Sequence, residues 1–367
     1  MKKILLFTGT RADFGLQLPL IRLIKKKYKL ELIVCNMHTS IEFGKTLKEI
    51  NFSDFKKVYI IKNLPTGQND IDILNSISLG IREMSKKIYK SNPKLAIILG
   101  DRYEMLSASV ACFFLKVPTL HINGGEITKG SLDDGIRDAI TTFSSFHCPP
   151  TKRSFERVKN ILGENKNLIN SGALGAHNAY KSKIKTKNYF KRKYNINFKD
   201  KNILITIHPE KNFNYKLKEI KILLKSLSSF NNVNQIFTAS NSDAYGKGIN
   251  KLIKEFCKKN KNSIYIKSFG KDDYLSILKH MSCVVGNSSS GVIEAPILKV
   301  PTINLGTRQK GREFSKSIIN APFDTNILSK KIKKTLYLNK NKLNFDSPYL
   351  KKNTPQMILN FIRKVMY

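Results

Sequence analysis

The chain has 367 residues, of which 41% are hydrophobic and 25% charged, and a formal net charge of +38. That length accommodates two domains of ordinary size, each with its own core. Its longest uncharged, mainly apolar stretch, residues 105–115, is too short to cross a bilayer, and residues 4–7 are too short for a signal-peptide core, so a cytoplasmic protein without a membrane partner is expected. Nucleic acid is set aside as well. The lysines are scattered in short groups, such as 25–27 and 330–334, among many Asn and Ile residues, which reads as chain-wide residue usage without an aromatic-interleaved binding face. The five cysteines are odd in number, widely spaced and without a C-x-x-C pair, so neither a disulfide framework nor a zinc site is suggested.

In chain order, short apolar runs at residues 4–7, 30–34, 58–61, 95–99, 118–122 and 167–170 are mostly separated by segments with helical spacing. This alternation predicts an α/β fold with a parallel sheet covered by helices. The basic, polar stretch 181–201 reads as a linker, and a second series of strands follows at 203–207, 235–239, 264–267, 283–285 and 302–305. The predicted organisation is a domain over 1–180, a linker over 181–201, a second domain over 202–353 and a helix over 354–367. Ligands of open α/β sheets bind beyond the carboxyl ends of strands, and polar clusters follow the predicted strands at 8–15, 100–104, 123–134, 208–211, 241–248 and 286–294. The first cluster is no G-x-G-x-x-G fingerprint, because five residues including Arg11 and Asp13 separate Gly9 from Gly15, and NAD chemistry loses its main support.

The most telling segment is Gly286-Asn287-Ser288-Ser289-Ser290-Gly291-Val292-Ile293-Glu294. A strand at 283–285 enters a turn of small hydroxyl residues, and 292–298 reads as the start of a helix, so backbone N–H groups and hydroxyls would meet an anion such as a diphosphate. Glu294 would stand one turn on, where a carboxylate can grip both hydroxyls of a ribose; the plainer alternative is a Ser-capped helix supported by its Glu. Gly100-Asp101-Arg102 puts an ionised pair, or a structural salt bridge, at the end of 95–99. His121-Ile122-Asn123-Gly124-Gly125-Glu126 gives a strand end, two glycines that would let backbone approach a ligand, and a carboxylate. Leu132-Asp133-Asp134-Gly135-Ile136-Arg137 follows, with one aspartate expected to cap a helix over 135–143. Carboxylates gathered at neighbouring strand ends raise one another's pKa and can exchange protons near neutral pH, which suits carbohydrate acid/base chemistry. His208-Pro209-Glu210 places an imidazole, functional or structural, at the end of 203–207.

Taken with Thr8-Gly9-Thr10-Arg11-Ala12-Asp13, Ser171-Gly172-Ala173-Leu174-Gly175 and Asn304-Leu305-Gly306-Thr307-Arg308-Gln309-Lys310-Gly311-Arg312, these motifs run in order from about residue 4 to residue 320. Together they resemble the hydrolysing UDP-N-acetylglucosamine 2-epimerases of the sialic-acid and legionaminic-acid type. The resemblance implies two Rossmann-like domains with a central cleft, similar to GT-B glycosyltransferases, and often a homodimer. It implies UDP on the C-terminal domain, held by Ser288, Ser289, Ser290, Glu294 and Arg308, with Arg11 reaching the phosphates and Tyr274 near uracil. Asp101, Asp133 and His208 would belong to the catalytic set. Several relatives carry Glu where this chain has Asn123; an amide cannot be the same acid or base, and Glu126 is the candidate to take the role.

The implied reaction removes the C2 proton and expels UDP to give a 2-acetamidoglycal, to which water adds, yielding N-acetylmannosamine and UDP for sialic acid biosynthesis. No NAD or metal is expected, since arginines and backbone donors stabilise the leaving group. The rival readings are the same reaction on UDP-N,N'-diacetylbacillosamine, a glycosyltransferase of GT-B architecture, and a nucleic-acid-binding protein.

Overall fold

The computed structural model describes residues 1–40, 46–65, 70–164, 166–214, 216–241 and 245–366, and the chain divides into two units. Unit one comprises Met1–Ile127, Leu132–His177 and Lys351–Tyr367; unit two comprises Thr128–Ser131 and Asn178–Leu350. In unit one the strands β1 (Lys3–Thr8), β2 (Lys29–Val34), β3 (Lys57–Ile60), β4 (Leu95–Leu99), β5 (Thr119–Ile122) and β6 (Phe146–Cys148) form a parallel sheet in the order β3-β2-β1-β4-β5-β6. Unit two repeats that order with β7 (Asn202–Thr206), β8 (Asn234–Thr238), β9 (Ser263–Ile266), β10 (Cys283–Gly286), β11 (Thr302–Leu305) and β12 (Ile318–Ala321), running β12-β11-β10-β7-β8-β9. Both units are Rossmann-like. In each, the strand order reverses beside the first strand, and loops following the central strands form the ligand-binding end of such a sheet.

The central strands are buried along their whole length, as β4, β7 and β8 show, because helices cover both faces. Alternate residues of β1 therefore enter different cores: Ile4 and Leu6 pack with Leu20, Ile21 and Ile24 of the helix Arg11–Ile24, while Leu5 and Phe7 pack with Met105 and Ala108 of the helix Tyr103–Phe114. The helix Thr354–Val365 adds Ile358, Leu359, Phe361 and Ile362 to the first of these cores.

Several expectations are corrected. The last strand of unit one is β6, whereas residues 167–170 contribute a single bridge between Leu168 and His147. β12 is a sixth strand in unit two, beyond the five predicted there. Stretch 181–201 is no free linker, since it carries the helix Lys187–Tyr194 and buries Phe190 and Ile196 in unit two. The domain limits shift as well. Thr128–Ser131 belongs to unit two because the Lys129 N–H donates to the Lys310 carbonyl at 2.9 Å and the Lys211 N–H donates to the Gly130 carbonyl at 3.1 Å. A Cβ on Gly130 would stand 2.5 Å from the Thr307 carbonyl, so only glycine permits that approach. Of the polar cluster 241–248, residues 242–244 lie outside the described residues, as does Tyr367 of the predicted terminal helix. Among the described residues no helix is long and apolar enough to cross a membrane.

Candidate functional site

The candidate residues fall into two groups, one in each unit. In unit one, Asp101 follows β4 and is fixed from two sides. His121, buried in β5, meets the Gly100 carbonyl through Nε2 at 2.9 Å and the Thr141 hydroxyl through Nδ1 at 3.1 Å. Burial pulls this imidazole down to about 4, so it is neutral at pH 7, donating Nε2–H to the carbonyl and accepting the hydroxyl. On the other side stands Arg137, fully buried in the helix Asp133–Phe143. Its Nε donates to Asp101 Oδ2 at 2.9 Å and its Nη2 donates to the same oxygen, while Nη1 donates to the Glu126 carbonyl at 2.7 Å and Asp134 Oδ1 at 2.9 Å. Burial opposes the guanidinium charge, but the carboxylates of Asp101, Glu126 and Asp133 outweigh it and raise the pKa above the ordinary arginine value. The structure thus gathers Asp101, Glu126 and Asp133 around one buried cation.

Two expectations in this region change. Asp133 and Asp134 form the first turn of their helix and neither caps it; Leu132 holds the cap position without a side-chain bond. The pair Gly124-Gly125 serves packing. At Gly125, φ is +79° and a Cβ would lie 2.3 Å from the Ser154 carbonyl, so the residue lets the strand end close against the helix Lys152–Leu162. Asn123 also has positive φ, +68°, a conformation Asn tolerates better than most side chains. Its Oδ1 is buried without a hydrogen-bond partner.

Arg11 opens the helix Arg11–Ile24 with its guanidinium paired to Glu49. Beside it, the half-buried Asp13 accepts bonds from the Thr8 hydroxyl at 2.6 Å and the Gly9 N–H at 3.0 Å; desolvation raises its pKa against those bonds.

In unit two, β7 leads to His208, β10 to the serine loop and β11 to Arg308. Asn287, fully buried, ties the three together. Its Oδ1 accepts the His208 N–H at 2.7 Å, and its Nδ2 donates to the His208 carbonyl at 2.9 Å and to Glu210 Oε1 at 3.0 Å. Its own carbonyl accepts from Gln309 Nε2 at 2.9 Å and Arg308 Nη1 at 3.3 Å. Glu210 completes the frame by accepting the Thr307 N–H at 2.9 Å and hydroxyl at 2.8 Å.

The loop itself departs from the predicted helix N-terminus. The helix covers only Ser290–Ile293, and the Gly291 and Val292 N–H groups donate back to the carbonyls of Ser288 and Ser289, so these amides are engaged within the loop. What the loop does assemble is Ser290, Tyr274 and Glu294. The Tyr274 hydroxyl lies 2.5 Å from Ser290 Oγ; burial pushes the phenol up to about 12, and the Glu294 charge adds to the rise. Burial likewise pushes the Glu294 carboxyl up to about 7, against its own backbone N–H and the charge of Arg312, and its Oε2 is buried with no hydrogen-bond partner. Ser288 and Ser289 remain partly exposed next to it. Among the described residues, no three His, Cys, Asp or Glu side chains are grouped to hold a metal ion.

Residues 22–363 match the family model described as UDP-N-acetylglucosamine 2-epimerase. The chain belongs to that family. A Campylobacter jejuni protein described as GDP/UDP-N,N'-diacetylbacillosamine 2-epimerase (hydrolyzing) is 35% identical over 324 residues, 87% of this chain and 84% of that protein. The polysialic acid biosynthesis protein P7 of Escherichia coli is 33% identical over 332 residues, 89% of this chain and 84% of its own length. For the fold alone, the UDP-GlcNAc 2-epimerase of Neisseria meningitidis, solved bound to UDP-GlcNAc, superposes with a TM-score of 0.80 at 17% identity, covering 99% of this chain and all of that one.

In this epimerase-family chain, the candidate residues are supported by side chains that their motifs do not single out: Arg137, Asn287 and Glu210, all buried, and the half-buried Asp13. Arg137 stands three residues after Asp134, the spacing at which helix side chains meet, and that was the available signal. Thr10 and Asp13 form a capping box, which Thr-x-x-Asp before an apolar helix could have announced. Nothing in the sequence marks Asn287 as the hub.

Proposed function

We propose that the chain is a hydrolysing 2-epimerase, cytoplasmic and homodimeric, that converts UDP-N-acetylglucosamine to N-acetylmannosamine and UDP through a 2-acetamidoglycal, for nonulosonic (sialic) acid synthesis. The observation that carries this reading is Glu294, a half-buried carboxylate whose Oε2 is itself buried and unpartnered, near the Tyr274 hydroxyl that meets Ser290. A buried acceptor of that kind calls for donors from a ligand, and the vicinal hydroxyls of a ribose supply two.

In this reading Tyr274 stands near uracil, while Ser288, Ser289, Ser290 and Arg308 bind the diphosphate, and Arg11 exchanges Glu49 for a phosphate. Asp101, Glu126 and Asp133 divide the proton chemistry. One carboxylate takes the C2 proton, the C–H pair becomes the C1=C2 double bond, and the C1–O bond breaks with its electrons leaving on UDP. Water then adds its hydroxyl to C1 as C2 regains a proton on the opposite face. Preorganised donors, Arg308 and His208 among them, stabilise the charge that grows on the diphosphate. The scheme transfers no hydride and needs neither NAD nor a metal.

Incubation with UDP-N-acetylglucosamine in deuterium oxide, followed by NMR, tests the reading. The expected products are UDP and N-acetylmannosamine carrying deuterium at C2. Protium retained at C2, or UDP released only when a sugar acceptor is added, would overturn it in favour of redox or transfer chemistry. A second reading, the same reaction on UDP-N,N'-diacetylbacillosamine, is favoured by the identity to the Campylobacter protein. Comparing kcat/KM for the two UDP-sugars decides between them.

A further inference from the structure

His208 lies two residues beyond β7, and its main chain is held at both ends of the residue, N–H and carbonyl, by the single side chain of Asn287. Pro209 follows and restricts the backbone of the residue before it to extended conformations, so the imidazole projects from a rigid base. The ring is fixed in a second way. The Asn241 backbone N–H donates to His208 Nδ1 at 3.1 Å.

A backbone amide nitrogen has a proton to give and no lone pair to offer. Nδ1 must therefore present its own lone pair, and the proton of the neutral ring sits on Nε2. An imidazolium, or the tautomer with hydrogen on Nδ1, would set two N–H groups against each other at that distance. This contact separates two roles that a site histidine can play. A general base would need a bare Nε2, which the Asn241 contact disfavours; a charge-stabilising donor needs Nε2–H, which the contact supplies without any proton having to be taken up first.

We propose that His208 acts as a permanently neutral imidazole, its Nε2–H donating to a phosphate oxygen of the nucleotide while its Nδ1 is held as an acceptor by the Asn241 amide. The inference rests on the UDP-sugar reading above and assigns the atom and protonation state that reading leaves open. His208 takes no proton in the reaction. It strengthens its bond as negative charge collects on the departing diphosphate, and the proton transfers at C2 and water stay with the carboxylates.

The test uses full-length protein with 15N-labelled histidine side chains, its His208 signals assigned by comparison with His208→Gln, recorded at pH 6 to 8 with and without UDP. The expected spectrum shows an unprotonated Nδ1 and a protonated Nε2 throughout, with Nε2–H shifting when UDP is added. A protonated Nδ1, in either state, overturns the proposal. Kinetics give a second arm. Glutamine keeps a neutral N–H donor, so His208→Gln should retain at least tenfold more kcat than His208→Ala, whose loss is on the order of 10² to 10³, as when an oxyanion donor is removed. Equal losses would mean that the imidazole moves a proton, which also overturns it. Absence of UDP binding sinks the nucleotide reading itself and with it the acceptor for Nε2–H; UDP binding with Nδ1 protonated sinks only the assignment to His208.

Discussion

Glu294 is the residue whose chemistry is most exposed to experiment, because burial brings its carboxyl from an ordinary 4.5 to about 7. A raised carboxyl favours the protonated folded state, so its contribution to stability is fully present below pH 4.5 and is lost as pH rises to about 7. Ligand binding runs the other way. Accepting two ribose hydroxyls suits the ionised form, so UDP affinity should rise by roughly tenfold from pH 6 to 8 as that form goes from a minor to the major population. Glu294→Gln should flatten this component, leaving only the ionisation of UDP itself. Calorimetric titration of both proteins at the two pH values makes the comparison, and identical slopes would remove Glu294 from the ribose. Glu294 was legible in the sequence because a carboxylate after a serine turn is unusual enough to question. Arg137 was not. An arginine three residues after an aspartate normally marks a solvated helix face, and only its burial turns it into the charge around which Asp101, Glu126 and Asp133 gather.

The turn that carries Glu126 away from β5 depends on Gly125, where both the backbone angle and the neighbouring helix exclude a side chain. Gly125→Ala should cost about 2 to 4 kcal/mol, combining a left-handed backbone penalty with overpacking against Ser154 and Val158. Urea unfolding of the two proteins measures this, and a change below about 0.5 kcal/mol, the scale of an ordinary surface substitution, would contradict the close packing. Most strands were legible as apolar runs because burial on both faces leaves little room for polar residues. β6 escaped notice since it has only three residues, one of them a histidine, and two prolines follow it. β12 is an edge strand with Asn320 exposed, so its pattern is weak where one flank is unpaired. The helix expected over 292–298 stops at Ile293 because Pro296 follows; proline lacks an N–H and turns the residue before it from helical geometry.

For the whole molecule, the repeated strand order was legible only as two rounds of alternating elements; which core the terminal helix joins was not. Amphipathic spacing shows that a helix has an apolar face without saying what covers it. The helix Thr354–Val365 covers unit one, burying Ile358, Leu359, Phe361 and Ile362. At about 1.5 to 3 kcal/mol for each such side chain, their burial rivals the whole stability of a domain. A chain ending at Leu350 should therefore lose the cooperative melting of unit one while unit two still unfolds as a unit, as followed by circular dichroism and hydrogen exchange. Two native-like transitions in that truncated protein would show the helix to be dispensable.

The same helix sets a schedule for the growing chain. Domains ordinarily fold in the order in which the ribosome releases them. Here the earlier-made sheet waits for residues that are translated after the main segment of unit two, Asn178–Leu350, has been made. During that interval the part of the first core that Ile358, Leu359, Phe361 and Ile362 complete stays open to other nascent apolar surfaces, so the half of the protein that begins first is the half that finishes last.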